Sequence, residues 1–169
     1  GVVNSHFSTE SGMLMDEAIM NVILEKYHIR IGRKAAETLK MALGVEWDLN
    51  RDTRICEVCG ISTITELPVK IAVTGEIVAQ ALNPILYRIF SGITSVIQMT
   101  PPAILGDIRE HGIVLIGGVA QLKGLKELVL KVTDMKAHVA DHPSYVNAVG
   151  AGSALEYMDY FRDSLQDLH

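Results

Sequence analysis

The chain has 169 residues, 49% of them apolar and 21% charged, and its formal net charge is −5. This composition provides for a sizeable apolar core and argues against intrinsic disorder. A chain with this net negative charge offers no basic surface for the phosphates of a nucleic acid, so no nucleic-acid partner is expected.

The expected compartment follows from the ends, the cysteines and the apolar runs. No apolar run approaches the ~20 residues that span a bilayer, so no direct membrane insertion is expected. Residues 1–7 do not form a secretory signal and begin like the interior of a strand, so we expect a cut end of a longer protein. Cys56 and Cys59 do not make a disulfide framework, which favours a reducing, cytoplasmic location.

The first part of the chain predicts a strand and two helices. Residues 1–7 are rich in β-branched and aromatic side chains and predict a short strand. Apolar residues three and four apart predict a helix over 13–28, and a second helix is predicted over 34–43. Gly44 follows at a position where helices commonly end.

The middle of the chain predicts a hairpin and a long helix. Residues 53–59 and 68–74 alternate polar and apolar side chains and predict two antiparallel strands. The next helix, at about 76–98, has an apolar residue at every fourth position. Pro84 interrupts this helix and predicts either a kink or a new start.

The final part predicts helices and strands in alternation. Thr100 is placed to cap a helix that begins with two prolines and ends before Gly112. Residues 113–116 form an apolar run typical of a parallel strand buried on both faces. The remaining predicted elements are a helix over 122–132, a strand over 136–140 and one or two helices over 144–168.

This alternation predicts an α/β fold in two parts. Residues 1–32 and 99–169 are expected to form the main layered arrangement. Residues 33–98 have their own hairpin and helices, and are expected to form a small inserted α+β subdomain.

The turn at Gly117–Gly118 is one candidate binding site. Ligands of open α/β sheets bind at the carboxyl ends of the strands, and this turn follows an apolar strand. Glycines let the backbone approach a ligand closely, and the helix start that follows offers amide groups to an anion. The alternative is a tight strand-to-helix turn with no ligand.

Glu37 and Lys40 are a second candidate. They lie three apart, so on a helix they share a face and can bind one polar ligand. Glu37 could accept hydrogen bonds from sugar hydroxyls, and Lys40 could donate them. The alternative is a solvated surface pair.

The sequence offers no further catalytic or metal-binding pattern. Cys56 and Cys59 are a single pair, whereas a structural zinc site needs four ligands. We therefore interpret them as packing or partly exposed residues on opposite faces of a strand. No Ser–His–Asp set, metalloprotease helix or P-loop is present, so neither catalytic residues nor metal ligands are predicted.

An ordered series of short motifs resembles a known family, the bacterial actin-like, rod shape-determining proteins of the MreB/Mbl family. The resemblance is to the second, carboxy-terminal lobe, and it runs from Gly1 to about Asp159 with its spacing preserved. The motifs are Asp16-Glu17-Ala18-Ile19, Ile31-Gly32, Ala36-Glu37-Thr38-Leu39-Lys40, Thr100-Pro101-Pro102, Asp107-Ile108, Gly112-Ile113, Leu115-Ile116-Gly117-Gly118, Leu122-Lys123-Gly124-Leu125 and Ala148-Val149-Gly150-Ala151-Gly152.

The resemblance implies one lobe of the actin/Hsp70/sugar-kinase (RNase H-like) fold, with ATP bound between two lobes. It implies that Glu37 and Lys40 contact the ribose and base. It also implies that the glycine turn, Gly117, Gly118 and Val119, passes the adenosine and phosphates. The family pattern has a third glycine where this chain has Val119. Because valine adopts positive φ only with strain and brings a bulky side chain toward the ligand, either the turn relaxes or nucleotide affinity falls.

The resemblance also implies a function. The complete protein would bind and hydrolyse ATP, self-associate into protofilaments and govern cell shape, with cell-shape membrane proteins as further partners. The phosphate loops and the acid that holds Mg²⁺ belong to the first lobe, so this lobe alone is expected to be inactive. The alternatives are a structural filament subunit with weakened nucleotide binding, and a lobe of another ATPase of the same superfamily.

Overall fold

The computed structural model describes residues 2–45 and 53–156. The helices are Gly12–Tyr27 (α1), Arg33–Leu43 (α2), Gly75–Met99 (α3), Pro102–His111 (α4), Leu125–Thr133 (α5) and Val146–Glu156 (α6). The strands are Ile29–Arg30 (β1), Ile55–Ser62 (β2), Pro68–Thr74 (β3), Ile113–Leu115 (β4) and Ala137–Val139 (β5). A short 3-10 turn, Gly118–Gln121, follows β4.

The strands form two sheets. Strands β1, β2 and β3 are antiparallel in that order, and β2 and β3 form a hairpin in which Cys59 lies opposite Lys70. Strands β4 and β5 pair in parallel. Since β1 lies in the sheet of the hairpin, a segment from the predicted main part contributes to the sheet of the predicted insertion. The division at residues 32 and 98 stays a prediction.

The apolar core lies where α1, α2 and α3 meet the three-stranded sheet. Met15, Ile19 and Ile23 of α1 are fully buried, and so are Leu39 of α2 and Leu82 of α3. The spacing of four residues from Met15 through Ile19 to Ile23 puts these three side chains on one face of α1. This face explains why the helix predicted over 13–28 is confirmed almost to the residue.

The long helix α3 is continuous through Pro84. The new start that Pro84 predicted is therefore wrong. The proline ring is exposed, while the neighbouring Leu82 and Ile85 pack into the core. Tertiary packing on the opposite side outweighs the one backbone hydrogen bond that a proline removes.

The strand predicted over residues 1–7 is wrong within the described residues, because residues 2–10 adopt no regular secondary structure. Val2 and Phe7 are 87% and 92% exposed, so they gain nothing from burial. Instead, the Asn4 side chain donates a 2.9 Å hydrogen bond to the Met99 carbonyl at the end of α3. A strand needs a neighbouring strand for its backbone groups, and no described strand pairs with this segment.

Two expectations for the final part are also wrong. Thr100 does not cap α4, because its hydroxyl donates a 2.7 Å hydrogen bond back to the Val96 carbonyl of α3. Strand β4 is not buried on both faces, because Val114 is 55% exposed. Among the described residues, β4 has a single neighbouring strand, β5. The predicted helix over 144–168 is α6 as far as Glu156, and its remainder lies outside the described residues.

The segment that leads into α1 is fastened to α3 by a charged contact. The Glu10 carboxylate accepts hydrogen bonds from the Ser8 hydroxyl, at 2.6 Å, and from the Arg88 guanidinium. These hydrogen bonds, that of Ser8 first, lower the pKa of Glu10 from 4.5 to about 2. The contact positions Ser11, whose side chain accepts a hydrogen bond from Leu14 N and caps α1.

We expect Arg88→Gln to reduce the pH dependence of stability in the acid range. The folded pKa of Glu10 is below its unfolded value, so its contribution is present above pH 4.5 and is lost as the pH falls toward about 2. Urea unfolding midpoints measured from pH 2 to 6 should rise less steeply in Arg88→Gln than in the wild type. Arg109→Gln is the control, since its contact with Asp134 is exposed and long, at 4.0 Å. Equal profiles for all three proteins would contradict the expectation.

Candidate functional site

A cavity of about 430 Å³ opens between the start of α1, one face of α2 and the 3-10 turn after β4. The side chains and backbone that line it are Ser11, Gly12, Met13, Met15, Asp16, Glu37, Lys40, Met41, Gly118, Val119, Gln121, Leu122 and Ser144. This volume lies in the range of small-molecule sites in proteins. The two candidate sites of the sequence, 80 residues apart in the chain, thus meet in one cavity.

Helix α2 contributes Glu37 and Lys40. They lie one turn apart on the same face, as their spacing predicted, but their surroundings differ. Glu37 is exposed and lines the cavity, so its carboxylate is available to accept hydrogen bonds from a ligand. Lys40 is only 7% exposed, which the alternative of a solvated surface pair does not explain.

The Lys40 ammonium is held by two groups of α1. Its Nζ lies 2.7 Å from Asp16 Oδ1 and donates a 3.0 Å hydrogen bond to the Gly12 carbonyl. Asp16 is 5% exposed. No described group is aligned to donate a hydrogen bond to Asp16 Oδ1, so the contact with Lys40 is an ion pair and not an aligned hydrogen bond. A compensated charge pair is thus built into the cavity wall.

The glycine turn forms the opposite wall. Gly117 has φ +86°, a value that favours glycine, whereas Gly118 and Val119 have no positive φ. Val119 therefore shows no backbone strain. Its side chain still lines the cavity and lies close to Gly12. Gly118 also lines the cavity, and Gly117 is not among the lining residues.

A seam of hydrogen bonds holds the two walls together. Val45 N donates a 2.8 Å hydrogen bond to the Lys123 carbonyl, and Lys123 Nζ donates to the Ala42 carbonyl at 3.1 Å. Gly44 and Gly124 both have positive φ and lie where a Cβ would meet the facing backbone. The seam sets the separation between the end of α2 and the residues after the turn.

Sequence reasoning missed several residues of this cavity. Asp16 lies three residues before Ile19 and seven before Ile23, so it shares the apolar face of α1 with them. A carboxylate at such a position was the signal that could have identified Asp16 as a site residue. Gln121 and Ser144 are joined by a 2.8 Å hydrogen bond that closes one side. Nothing in their spacing, 23 residues apart, indicates this contact.

The lining suits a polar ligand with an apolar part. Glu37, Gln121 and Ser144 supply acceptors and donors, while the lining residues Met13 and Met41 supply adaptable apolar surface. A ribose and a base have this combination of groups, so the residues present fit the nucleoside part of ATP. Bound ATP would supply a transferable phosphoryl group.

Two findings concern metal binding and membrane spans. In residues 2–45 and 53–156, no group of three or more His, Cys, Asp or Glu side chains is placed to hold a metal ion. Over the same residues, no helix is long and apolar enough to cross a bilayer.

Comparison with known proteins places the chain in a family. The MreB/Mbl protein family model matches residues 1–163. The Escherichia coli K12 cell shape-determining protein MreB is 33% identical over 159 residues, which are 94% of this chain and 46% of that protein. The chain spans about half the length of the curated relatives it matches. The family resemblance of the motifs is thereby confirmed.

Solved structures show the fold. MreB5 of Spiroplasma citri bound to ADP superposes with a TM-score of 0.84 at 22% identity, over 94% of this chain and 48% of that chain. The MamK double helical filament superposes with a TM-score of 0.67 at 21% identity, over 82% of this chain and 42% of that chain. The predicted fold class, an actin-like α/β lobe, is confirmed.

Proposed function

This chain belongs to the MreB/Mbl family, and we propose that it is the carboxy-terminal lobe of a cytoplasmic actin-like protein that binds ATP between two lobes. We further propose that the full-length protein polymerises into filaments that govern cell shape. The observation that carries the proposal is the cavity in which Glu37, Lys40, Gly118 and Val119 meet. The ADP-bound state of Spiroplasma citri MreB5 and the filament of MamK support nucleotide binding and self-association.

In this proposal the lobe binds and orients the nucleoside. Glu37 accepts hydrogen bonds from the ribose hydroxyls, and the backbone at Gly118 approaches the nucleotide closely because no Cβ intervenes. Phosphoryl transfer depends on groups that position the attacking water and neutralise the phosphates. We assign those groups, including the Mg²⁺ ligands, to the other lobe, and we assign no catalytic residue to this one.

A second candidate function has one observation in its favour. The Val119 side chain lines the cavity at a position where the family pattern has glycine. It occupies volume that a nucleotide would use, so the protein could be a structural filament subunit with weakened nucleotide binding. The third alternative, a lobe of another ATPase of the superfamily, has no observation in its favour.

Sedimentation of the full-length protein tests these functions. We expect the wild type to sediment as filaments only when ATP is present, because nucleotide closes the cleft between the lobes. Glu37→Ala should require roughly 10- to 100-fold more ATP, since it removes a charged acceptor worth about 1.5–3 kcal/mol. Glu110→Ala on α4, an exposed carboxylate away from the cavity, is the control and should behave as the wild type.

The other outcomes assign the alternatives. Filaments that form equally with and without ATP support the structural subunit. No sedimentation at any nucleotide concentration would overturn both filament functions.

A further inference from the structure

The buried pair between Asp16 and Lys40 has a consequence for what the cavity recognises. The charged side chains in the lining are two carboxylates, Asp16 and Glu37, and one ammonium, Lys40. The formal net charge of the lining is therefore −1. The one cation is already compensated at 2.7 Å by a carboxylate that is 5% exposed.

A lysine held in this way differs from a lysine that binds phosphate. A phosphate-binding lysine acts as a point charge that polyanions attract. Here the nearest partner of that charge is Asp16, and the Gly12 carbonyl accepts a hydrogen bond from one of the three N–H donors. A remaining N–H suits a hydrogen bond to an uncharged acceptor such as a hydroxyl oxygen or a ring nitrogen.

Burial makes the compensation effective. An ion pair that water surrounds is screened, but this pair is more than nine-tenths buried on both sides. Asp16 also lacks an aligned hydrogen-bond donor at Oδ1, so Lys40 is its charge partner and fixes its position. Removal of either charge would therefore change the net charge of the cavity lining by one unit and leave the other charge uncompensated.

We propose that Asp16 is a specificity-determining residue that cancels the charge of Lys40, so that the cavity recognises the uncharged nucleoside and does not contribute to phosphate binding. The inference rests on the proposed function, because it concerns the same nucleotide. Asp16 acts through Lys40 and is a positioning residue for it. The phosphates are then bound by the other lobe.

The test compares adenosine and ATP as ligands of the full-length protein, in competition with a fluorescent nucleotide at low ionic strength. Asp16→Asn exposes the Lys40 charge, so the affinity ratio of ATP to adenosine should rise about fivefold. Glu17→Gln is the matched control. It makes the same charge change one residue along, in an exposed pair with Arg33 outside the cavity, and should leave the ratio unchanged.

The double variant Asp16→Asn/Lys40→Met keeps the inference falsifiable if Asp16→Asn alone does not fold. It removes both charges, leaves the net charge of the lining unchanged and avoids an unpaired buried charge. We expect its ratio of ATP to adenosine affinity to remain within about twofold of the wild type. If the pair were merely structural, its loss would change the affinities for ATP and adenosine by the same factor in every variant. An unchanged ratio of the two affinities in folded Asp16→Asn would therefore overturn the inference.

Two further outcomes separate this inference from the proposed function. If the double variant keeps its adenosine affinity and loses most of its preference for ATP, Lys40 binds phosphate directly and the inference is overturned while the function stands. If wild-type protein binds neither ligand, the proposed function fails, and the inference fails with it.

Discussion

Asp16→Ala is expected to lower the free energy of unfolding by about 3 kcal/mol or more, since loss of one partner of a buried ion pair leaves the other charge uncompensated. Lys40 is 7% exposed, and only the Gly12 carbonyl would remain as its described partner. The pair also joins the beginning of α1 to α2, so its loss weakens the packing of these two helices beside the cavity. Urea unfolding followed by circular dichroism measures the change.

Glu17→Ala is the matched control for this variant. Glu17 follows Asp16 directly, and its 3.4 Å contact with Arg33 joins two side chains that are more than half exposed. Exposed pairs of this kind contribute about 0–1 kcal/mol. The double variant Asp16→Ala/Lys40→Met should recover much of the lost stability. An Asp16→Ala protein as stable as Glu17→Ala would show that Lys40 is not buried as described.

Gly124→Ala is expected to destabilise the protein by about 2–5 kcal/mol. Gly124 has φ +83°, where an L side chain costs about 1–2 kcal/mol, and a Cβ there would lie 1.8 Å from the Val45 carbonyl oxygen. Backbone movement to relieve such a clash costs about 1–3 kcal/mol more. The movement would open the seam between α2 and the turn, so nucleotide affinity of the full-length protein should fall as well.

Gly106→Ala provides the contrast for this substitution. Gly106 lies inside α4, and a Cβ there would meet nothing within 4 Å. Alanine is favoured over glycine in a helix interior by roughly 0.5–1 kcal/mol, so this variant should be slightly more stable than the wild type. Thermal unfolding of the two variants beside the wild type gives the comparison. Equal melting temperatures for Gly124→Ala and Gly106→Ala would contradict the close approach of Gly124 to the Val45 carbonyl.

The sequence predicted those elements whose stability comes from a face that is visible in the local pattern. Helices α1 and α2 and the hairpin were identified because their apolar periodicity reflects their packing, and Gly44 ends α2 as expected. The chain at 2–7 has the residue types of a strand, but strand formation also depends on a neighbouring strand, which local pattern does not reveal.

The candidate site was predicted in pieces and not as a whole. The spacing of Glu37 and Lys40 gave their shared face, and the glycine turn gave the opposite wall, but only the fold brings the two within one cavity. The burial of Lys40 could not be predicted from α2 alone, because it depends on Asp16, 24 residues earlier in the chain. Local sequence therefore indicated the residue types of the site but not its electrostatics.

The central claim is that the cavity between α1, α2 and the turn at 117–121 binds a nucleotide in the full-length protein. A crystal structure of that protein with a non-hydrolysable ATP analogue tests it most directly. We predict that the ribose lies within hydrogen-bond distance of the Glu37 carboxylate and that the nucleotide passes the Gly118 backbone. A nucleotide bound elsewhere in the protein, or no nucleotide at saturating concentration, would contradict the claim.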